Sequence, residues 1–106
     1  MLEQVEAAVA ANDERAVSEA LYGLASNAAS DGLVSDEIAF EVIGVLRRPQ
    51  MHDSPMAGHV MNFFHYHEDV LSRRAQDRFA AFLREWGGEF SDLYAIHVIG
   101  EFRLRG

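Results

Sequence analysis

The sequence predicts an all-α fold of about six helices, arranged as three stacked helical hairpins in a short α-solenoid. Apolar residues recur at i, i+4 and i+7 spacings, helix start and stop signals divide the chain, and one hairpin pattern repeats. At 106 residues, 49% of them hydrophobic, the chain has the size and apolar content of one domain. We therefore expect a single helical-repeat domain over residues 1–106, with repeats at about 2–29, 34–67 and 71–104.

The first two helices are predicted from an amphipathic start and a capping signal. Helix 1 spans about residues 2–11. Asn12 can cap helix 2, and the acids at 13–14 lie in its first turn, where carboxylates stabilise the helix dipole. We expect helix 2 to run to about Ala28, before a turn at residues 30–32.

Helices 3 and 4 have clear boundary signals. Ser35 can cap helix 3, and Pro49 stops it. Ser54 and Pro55 predict the start of helix 4, because they supply a capping hydroxyl and a proline at the first helical position. We expect helix 4 to continue to about His67.

Helices 5 and 6 are predicted in the same way. Ser72 opens helix 5, and the glycines at 87–88 end it. Ser91 can cap helix 6, which runs close to the end of the chain. The apolar stripes of helices 3, 4 and 5 support these assignments; they are Ile38, Val42, Val45 and Leu46, then Met56, Val60, Phe63 and His67, then Ala75, Phe79, Phe82 and Trp86.

An internal repeat of 37–38 residues relates helices 3 and 4 to helices 5 and 6. The aligned pairs include Ser35 with Ser72, Ser54 with Ser91 and, after one further residue of shift, His59 with His97. Helices 1 and 2 would be a shorter first copy. A hairpin recurring at this interval indicates a helical solenoid. The tetratricopeptide pattern is absent, and the chain is similar over nearly its whole length to HEAT-like repeats, a resemblance that rests on period without specific motifs.

Charge is distributed unevenly along the chain. Residues 1–46 contain nine acids against Arg15 alone, a net charge of −8, whereas residues 47–106 contain eight acids and eight arginines. Such a surface repels nucleic acid, whose phosphates require cationic side chains. It attracts and steers a basic protein. We therefore expect a basic protein partner and no nucleic acid.

The predicted contact residues combine acids of helices 2 and 3 with two aromatic residues of helix 4. They are Glu14, Glu19, Asp36, Glu37, Glu41, Phe64 and Tyr66. Several of these acids lie in the first turn of a helix, which explains their positions. It does not explain why residues 1–46 contain so few arginines to balance them. The aromatic run at 62–67 favours a core role, and the alternative is that Phe64 or Tyr66 is an exposed anchor for the partner.

The histidines supply the alternative function, a metal- or histidine-dependent enzyme that uses His59, His65, His67 and His97. Metal ligands on one helix need a spacing of three or four residues. His65 has this spacing with Asp69, and His97 has it with Glu101, each only a single pair. A metal site between His59 and His97 stays open, beside the interpretation that both pack at equivalent repeat positions. Our prediction is a protein without metal, cofactor or catalytic residue.

The remaining composition fits a binding protein. There is no cysteine, no nucleophile elbow and no phosphate loop. The first residues are acidic, unlike a secretory signal, and no apolar run is long enough for a membrane span, so we expect a cytoplasmic protein. A small, acidic, cysteine-free helical chain resembles immunity proteins that neutralise bacterial toxins, which implies a toxin as partner but assigns no residue a role. A piece of a longer helical-repeat assembly is the third alternative.

Overall fold

A computed structural model describes residues 2–28 and 32–104, and these residues form six α-helices and no strand. The helices are α1 (Leu2–Ala10), α2 (Glu14–Ala28), α3 (Asp36–Leu46), α4 (Ala57–Tyr66), α5 (Arg73–Trp86) and α6 (Leu93–Leu104). Short 3-10 turns lie at Pro49–Met51, Glu68–Val70 and Gly87–Glu89. The prediction of an all-α fold with about six helices is confirmed. The predicted turn at Ser30 and Asp31 lies outside the described residues.

Two of the predicted serine caps act as expected. The Ser35 hydroxyl accepts a hydrogen bond from the Ile38 N–H at 3.2 Å, and the Ser72 hydroxyl accepts one from the Ala75 N–H at 3.0 Å. Each bond satisfies a backbone donor that the first helical turn leaves free. The Ser72 hydroxyl also donates to the Asp36 carboxylate at 2.6 Å. The start of α5 is therefore tied to the start of α3.

The predicted cap of α2 was wrong by one residue. Asn12 has a φ of 53°, in the left-handed region that asparagine tolerates at the end of a helix. It therefore terminates α1. Asp13 caps α2 instead, because its carboxylate accepts a hydrogen bond from the Ala16 N–H at 3.1 Å.

The predicted cap of α6 was also wrong by one residue. The Asp92 carboxylate accepts hydrogen bonds from the N–H groups of Tyr94 and Ala95, both at 3.1 Å. Ser91 faces the preceding hairpin, where its backbone N–H donates to the His52 carbonyl at 2.8 Å. An aspartate next to a serine offers two possible caps, and the contact with His52 uses the serine.

Helix α4 begins later than the sequence predicts. The Ser54 hydroxyl accepts a hydrogen bond from the Met56 N–H at 3.1 Å, but Met56 is the cap residue and the helix starts at Ala57. Pro55 therefore lies in the turn before α4, and its prediction as the first helical residue is wrong.

The helices form two layers. The even-numbered helices pack side by side, α2 against α4 and α4 against α6, and the odd-numbered helices do the same, α1 against α3 and α3 against α5. Apolar side chains fill the space between the layers, and the largest fully buried ones are Phe63, Phe82, Leu46, Met51 and Met61. The helix faces that point away from this core form the surfaces available for binding.

Backbone hydrogen bonds join loops of the predicted second and third hairpins. The Val34 N–H donates to the Val70 carbonyl at 2.7 Å between the loops that precede α3 and α5. The bond from Ser91 to His52 does the same between the loops inside each hairpin. Three stacked hairpins would have this order of neighbours. The solenoid arrangement and the single-domain assignment stay predictions.

Two 3-10 turns lie within the predicted second and third repeats. Pro49–Met51 and Gly87–Glu89 are 38 residues apart, and each ends with a hydrogen bond from the following N–H to its first carbonyl. Ser54 and Asp92 are also 38 apart. The Ser54 hydroxyl binds the N–H of Met56, the residue before α4, and the Asp92 carboxylate binds the N–H groups of Tyr94 and Ala95 in α6. These spacings put the change from 37 to 38 in the predicted repeat before the 3-10 turn, whereas the sequence alignment put it after Ser54.

Candidate protein-interaction surfaces

The predicted acidic contact residues lie in two different layers. Glu14 and Glu19 are on α2, among the even-numbered helices, and Glu37 and Glu41 are on α3, among the odd-numbered ones. The Glu14 carboxylate lies 3.4 Å from Nε2 of His59, and Glu19 pairs with Arg15 at 3.1 Å. The two acids of α2 therefore have partners within the chain.

Asp36 binds inside the chain rather than facing solvent freely. Its side chain is 32% exposed, and its carboxylate accepts the Ser72 hydroxyl and lies 3.9 Å from the Arg74 guanidinium. Removing one partner of such a contact leaves the other polar group unsatisfied. Asp36 thus holds α5 to α3.

Glu37 and Glu41 form the exposed stripe of α3, one helical turn apart. Neither carboxylate has an ion-pair partner among residues 2–28 and 32–104. Glu41 also borders a cleft of about 250 Å³ whose other lining residues are Leu2, Glu3, Leu24 and Ile38. We call Glu3, Glu37 and Glu41 the acidic face. It combines carboxylates with an apolar cleft floor.

The charge of the odd-numbered layer changes sign from α3 to α5. Phe40 of α3 is half-buried, and the guanidinium groups of Arg74 and Arg78 lie 5.5 and 4.8 Å from its ring centroid. These distances are within the range of cation–π attraction. The acidic face is therefore bordered by arginines on α5. A charged partner would meet negative charge on α3 beside positive charge on α5, and this asymmetry favours one orientation of binding.

The aromatic run of α4 is divided between core and surface. Phe64 is 3% exposed, and its ring stacks on Phe79 with centroids 4.1 Å apart. The core interpretation of Phe64 is confirmed, and its alternative as an exposed anchor is wrong. Tyr66 is 67% exposed, and Tyr22 of α2 is 65% exposed. The even-numbered helices therefore expose these tyrosines, and α6 adds Leu93, Ile96 and Leu104.

Tyr94 was not singled out in the sequence, yet it joins α6 to α4. Its hydroxyl accepts a hydrogen bond from the Asn62 amide at 2.8 Å, and its ring centroid lies 4.6 Å from that of His59. The same ring lies against the backbone of Gly58. Three positions of α4 thus contact one side chain of α6. The residues involved are far apart in sequence, so spacing gave no signal.

The four histidines of the alternative function contact aromatic or acidic side chains. His59 and His97 both lie near Tyr94, the second with ring centroids 6.4 Å from it, and His97 pairs with Glu101 at 2.8 Å. Within the part of the chain that the structure describes, no group of three or more histidine, aspartate or glutamate side chains could hold a metal ion. His97 and Glu101 are one helical turn apart, so their contact is explained as a local hydrogen bond within α6.

His67 has a perturbed protonation equilibrium. Its ring lies 5.7 Å from the Phe63 ring and 6.0 Å from the Tyr22 ring, measured between centroids. Desolvation by these surroundings lowers the pKa of His67, and the nearby Asp69 carboxylate opposes the shift. The neutral imidazole is therefore favoured at the end of α4.

Comparison of the chain with protein-family models, curated proteins and solved structures gave no match. The resemblances to HEAT-like repeats and to immunity proteins therefore stay predictions. No helix among the described residues is long and apolar enough to cross a membrane.

Proposed function

We propose that the chain is a protein-interaction module whose acidic face binds a basic partner protein. The observation that carries the proposal is the exposed pair Glu37 and Glu41, which has no ion-pair partner in residues 2–28 and 32–104. Glu19 and Asp77, by contrast, each pair with an arginine at 3.1 Å. Unpaired carboxylates raise the rate of encounter with a cationic surface.

The cleft beside Glu41 suggests how the partner is held. A lysine or arginine side chain has an apolar stem and a charged end. Leu2, Leu24 and Ile38 can pack against the stem, and the carboxylate of Glu41 can bind the cation. A charged hydrogen bond in such a cleft adds affinity beyond the long-range attraction.

The finer proposal is that the partner is a bacterial toxin, so that the chain acts as an immunity protein. A toxin that cuts nucleic acid needs a cationic surface to bind phosphates. An acidic module that covers this surface prevents substrate binding. The support is electrostatic complementarity alone.

The test is capture of partners from the source cell by three forms of the chain. The forms are the parent, Glu37→Lys/Glu41→Lys and the matched control Glu85→Lys/Glu89→Lys, whose acids are also exposed. Both variants change the net charge equally. We expect the parent and the control to retain a basic protein that the first variant loses. Equal capture by all three forms would contradict the proposal.

The toxin proposal has its own readout. The captured protein should cleave RNA or DNA, and the parent chain should inhibit the cleavage more strongly than Glu37→Lys/Glu41→Lys does. A captured basic protein without toxic activity would reject the toxin proposal and leave the interaction module standing.

A further inference from the structure

A second concave surface lies on α5, the helix that packs beside α3. It is a groove of about 550 Å³ between α5 and the end of α6. The rings of Phe64, Phe79 and Phe102 line it, and Ala80 is exposed beside them. Phe79 contacts both other rings, with centroids 4.1 Å from Phe64 and 5.0 Å from Phe102. The floor of the groove is therefore aromatic, and Phe102 is the most exposed of its three rings.

Two guanidinium groups on the rim have no acidic partner. Arg84 and Arg103 line the groove, and neither forms an ion pair with any residue in the described ranges. Arg73, at the other end of the groove, is neutralised by Asp77 at 3.1 Å. Glu68 also lies on the rim. The groove thus has two free cations near the carboxyl end of α5, where the helix dipole stabilises positive charge.

Gly87 lies beside one of these cations. A Cβ atom at Gly87 would lie 2.9 Å from Nη2 of Arg103, so the guanidinium packs directly against the glycine backbone. Gly87 itself is buried at the end of α5. The Arg103 guanidinium therefore lies over the carboxyl end of α5.

We propose that this groove binds a small amphiphilic carboxylate, with its apolar body over the aromatic floor and its anionic head on Arg84 and Arg103. The volume lies within the range of about 300–1,000 Å³ that small-molecule sites occupy. Arginine is the side chain best suited to a carboxylate, because its planar fork donates two parallel hydrogen bonds. The proposal is independent of the acidic face and of any protein partner.

Isothermal titration of the full chain with decanoate tests the proposal. We expect saturable binding of one decanoate at micromolar concentration and much weaker binding of decylammonium, which has the same chain and the opposite charge. Arg84→Gln/Arg103→Gln should weaken decanoate binding by about tenfold, the loss expected for removed charged hydrogen bonds. The matched control Arg47→Gln/Arg78→Gln removes equal charge outside the groove and should leave binding unchanged.

Ala80→Phe provides a test that does not alter charge. The added ring fills the groove from an exposed position, so the melting temperature should stay the same while decanoate binding is lost. The proposal is overturned if decanoate binds only at millimolar concentration, if decylammonium binds equally well, or if both arginine pairs have the same effect. It is also overturned if Ala80→Phe folds normally and still binds.

Discussion

The ring of Tyr94 lies directly against the backbone of Gly58, where α6 meets α4. A Cβ atom at Gly58 would lie 2.9 Å from Cε2 of the ring and even closer to Cδ2. This approach brings the Tyr94 hydroxyl within 2.8 Å of the Asn62 amide. The packing of the two helices and the position of Tyr94 beside His59 therefore depend on the same glycine.

Gly58→Ala should destabilise the protein by about 1–3 kcal/mol, the usual cost of an overpacked core position. Gly44→Ala is the matched control, because Gly44 lies inside α3 with no atom within 4 Å of a Cβ placed there. The control should stabilise by roughly 0.5–1 kcal/mol, since alanine favours a helix more than glycine does. Denaturant unfolding of both variants measures the difference. A Gly58→Ala variant as stable as Gly44→Ala would show that the Tyr94 ring of α6 does not lie against the backbone of α4 at Gly58.

The cap of α6 can be tested by replacing each of two adjacent residues with alanine in separate variants. Asp92→Ala should cost about 1 kcal/mol, because the carboxylate accepts two backbone N–H groups of the first turn. Ser91→Ala should cost much less, because the short bond to His52 comes from the backbone N–H, which alanine keeps. Thermal or urea unfolding of the two variants compares them. A larger loss of stability in Ser91→Ala than in Asp92→Ala would show that Ser91 caps α6, as the sequence predicts.

Stability should fall as the pH drops below about 6.5, the value for unfolded histidine, in part because of His67. Desolvation lowers the pKa of folded His67, so the unfolded chain takes up the proton first. Above this pH His67 is neutral in both the folded and the unfolded state, so it does not lower the free energy of unfolding. His67→Gln should lose less stability than the parent between about pH 7 and pH 5. Titration of the imidazole by nuclear magnetic resonance gives a direct check, and a pKa above the unfolded value would contradict the account.

The sequence was sufficient to predict the helices but insufficient to predict the contacts between them. Ser35 and Ser72 were found because a serine before an apolar stripe has one obvious role. At 12–13 and 91–92, two adjacent polar residues can each cap a helix, and tertiary contacts select between them. Local pattern cannot resolve such a choice.

The candidate surface was predicted in part. Asp36 looks like any first-turn acid until α5 brings the Ser72 hydroxyl to it. Phe64 and Tyr66 are two residues apart in one aromatic run, and only the position of α5 shows that Phe64 is covered while Tyr66 is not. The structure therefore narrows the predicted acids to Glu37 and Glu41, the two without partners among the residues it describes.

The rate of association with the captured basic partner tests the central claim most directly. It should be measured for Glu37→Lys/Glu41→Lys and for Glu85→Lys/Glu89→Lys at low and at physiological salt. The account predicts that the first variant associates more slowly than the second, and that the gap narrows as salt screens charges beyond about 8–10 Å. Equal rates for the two variants, or rates that ignore salt, would show that the acidic face does not guide binding.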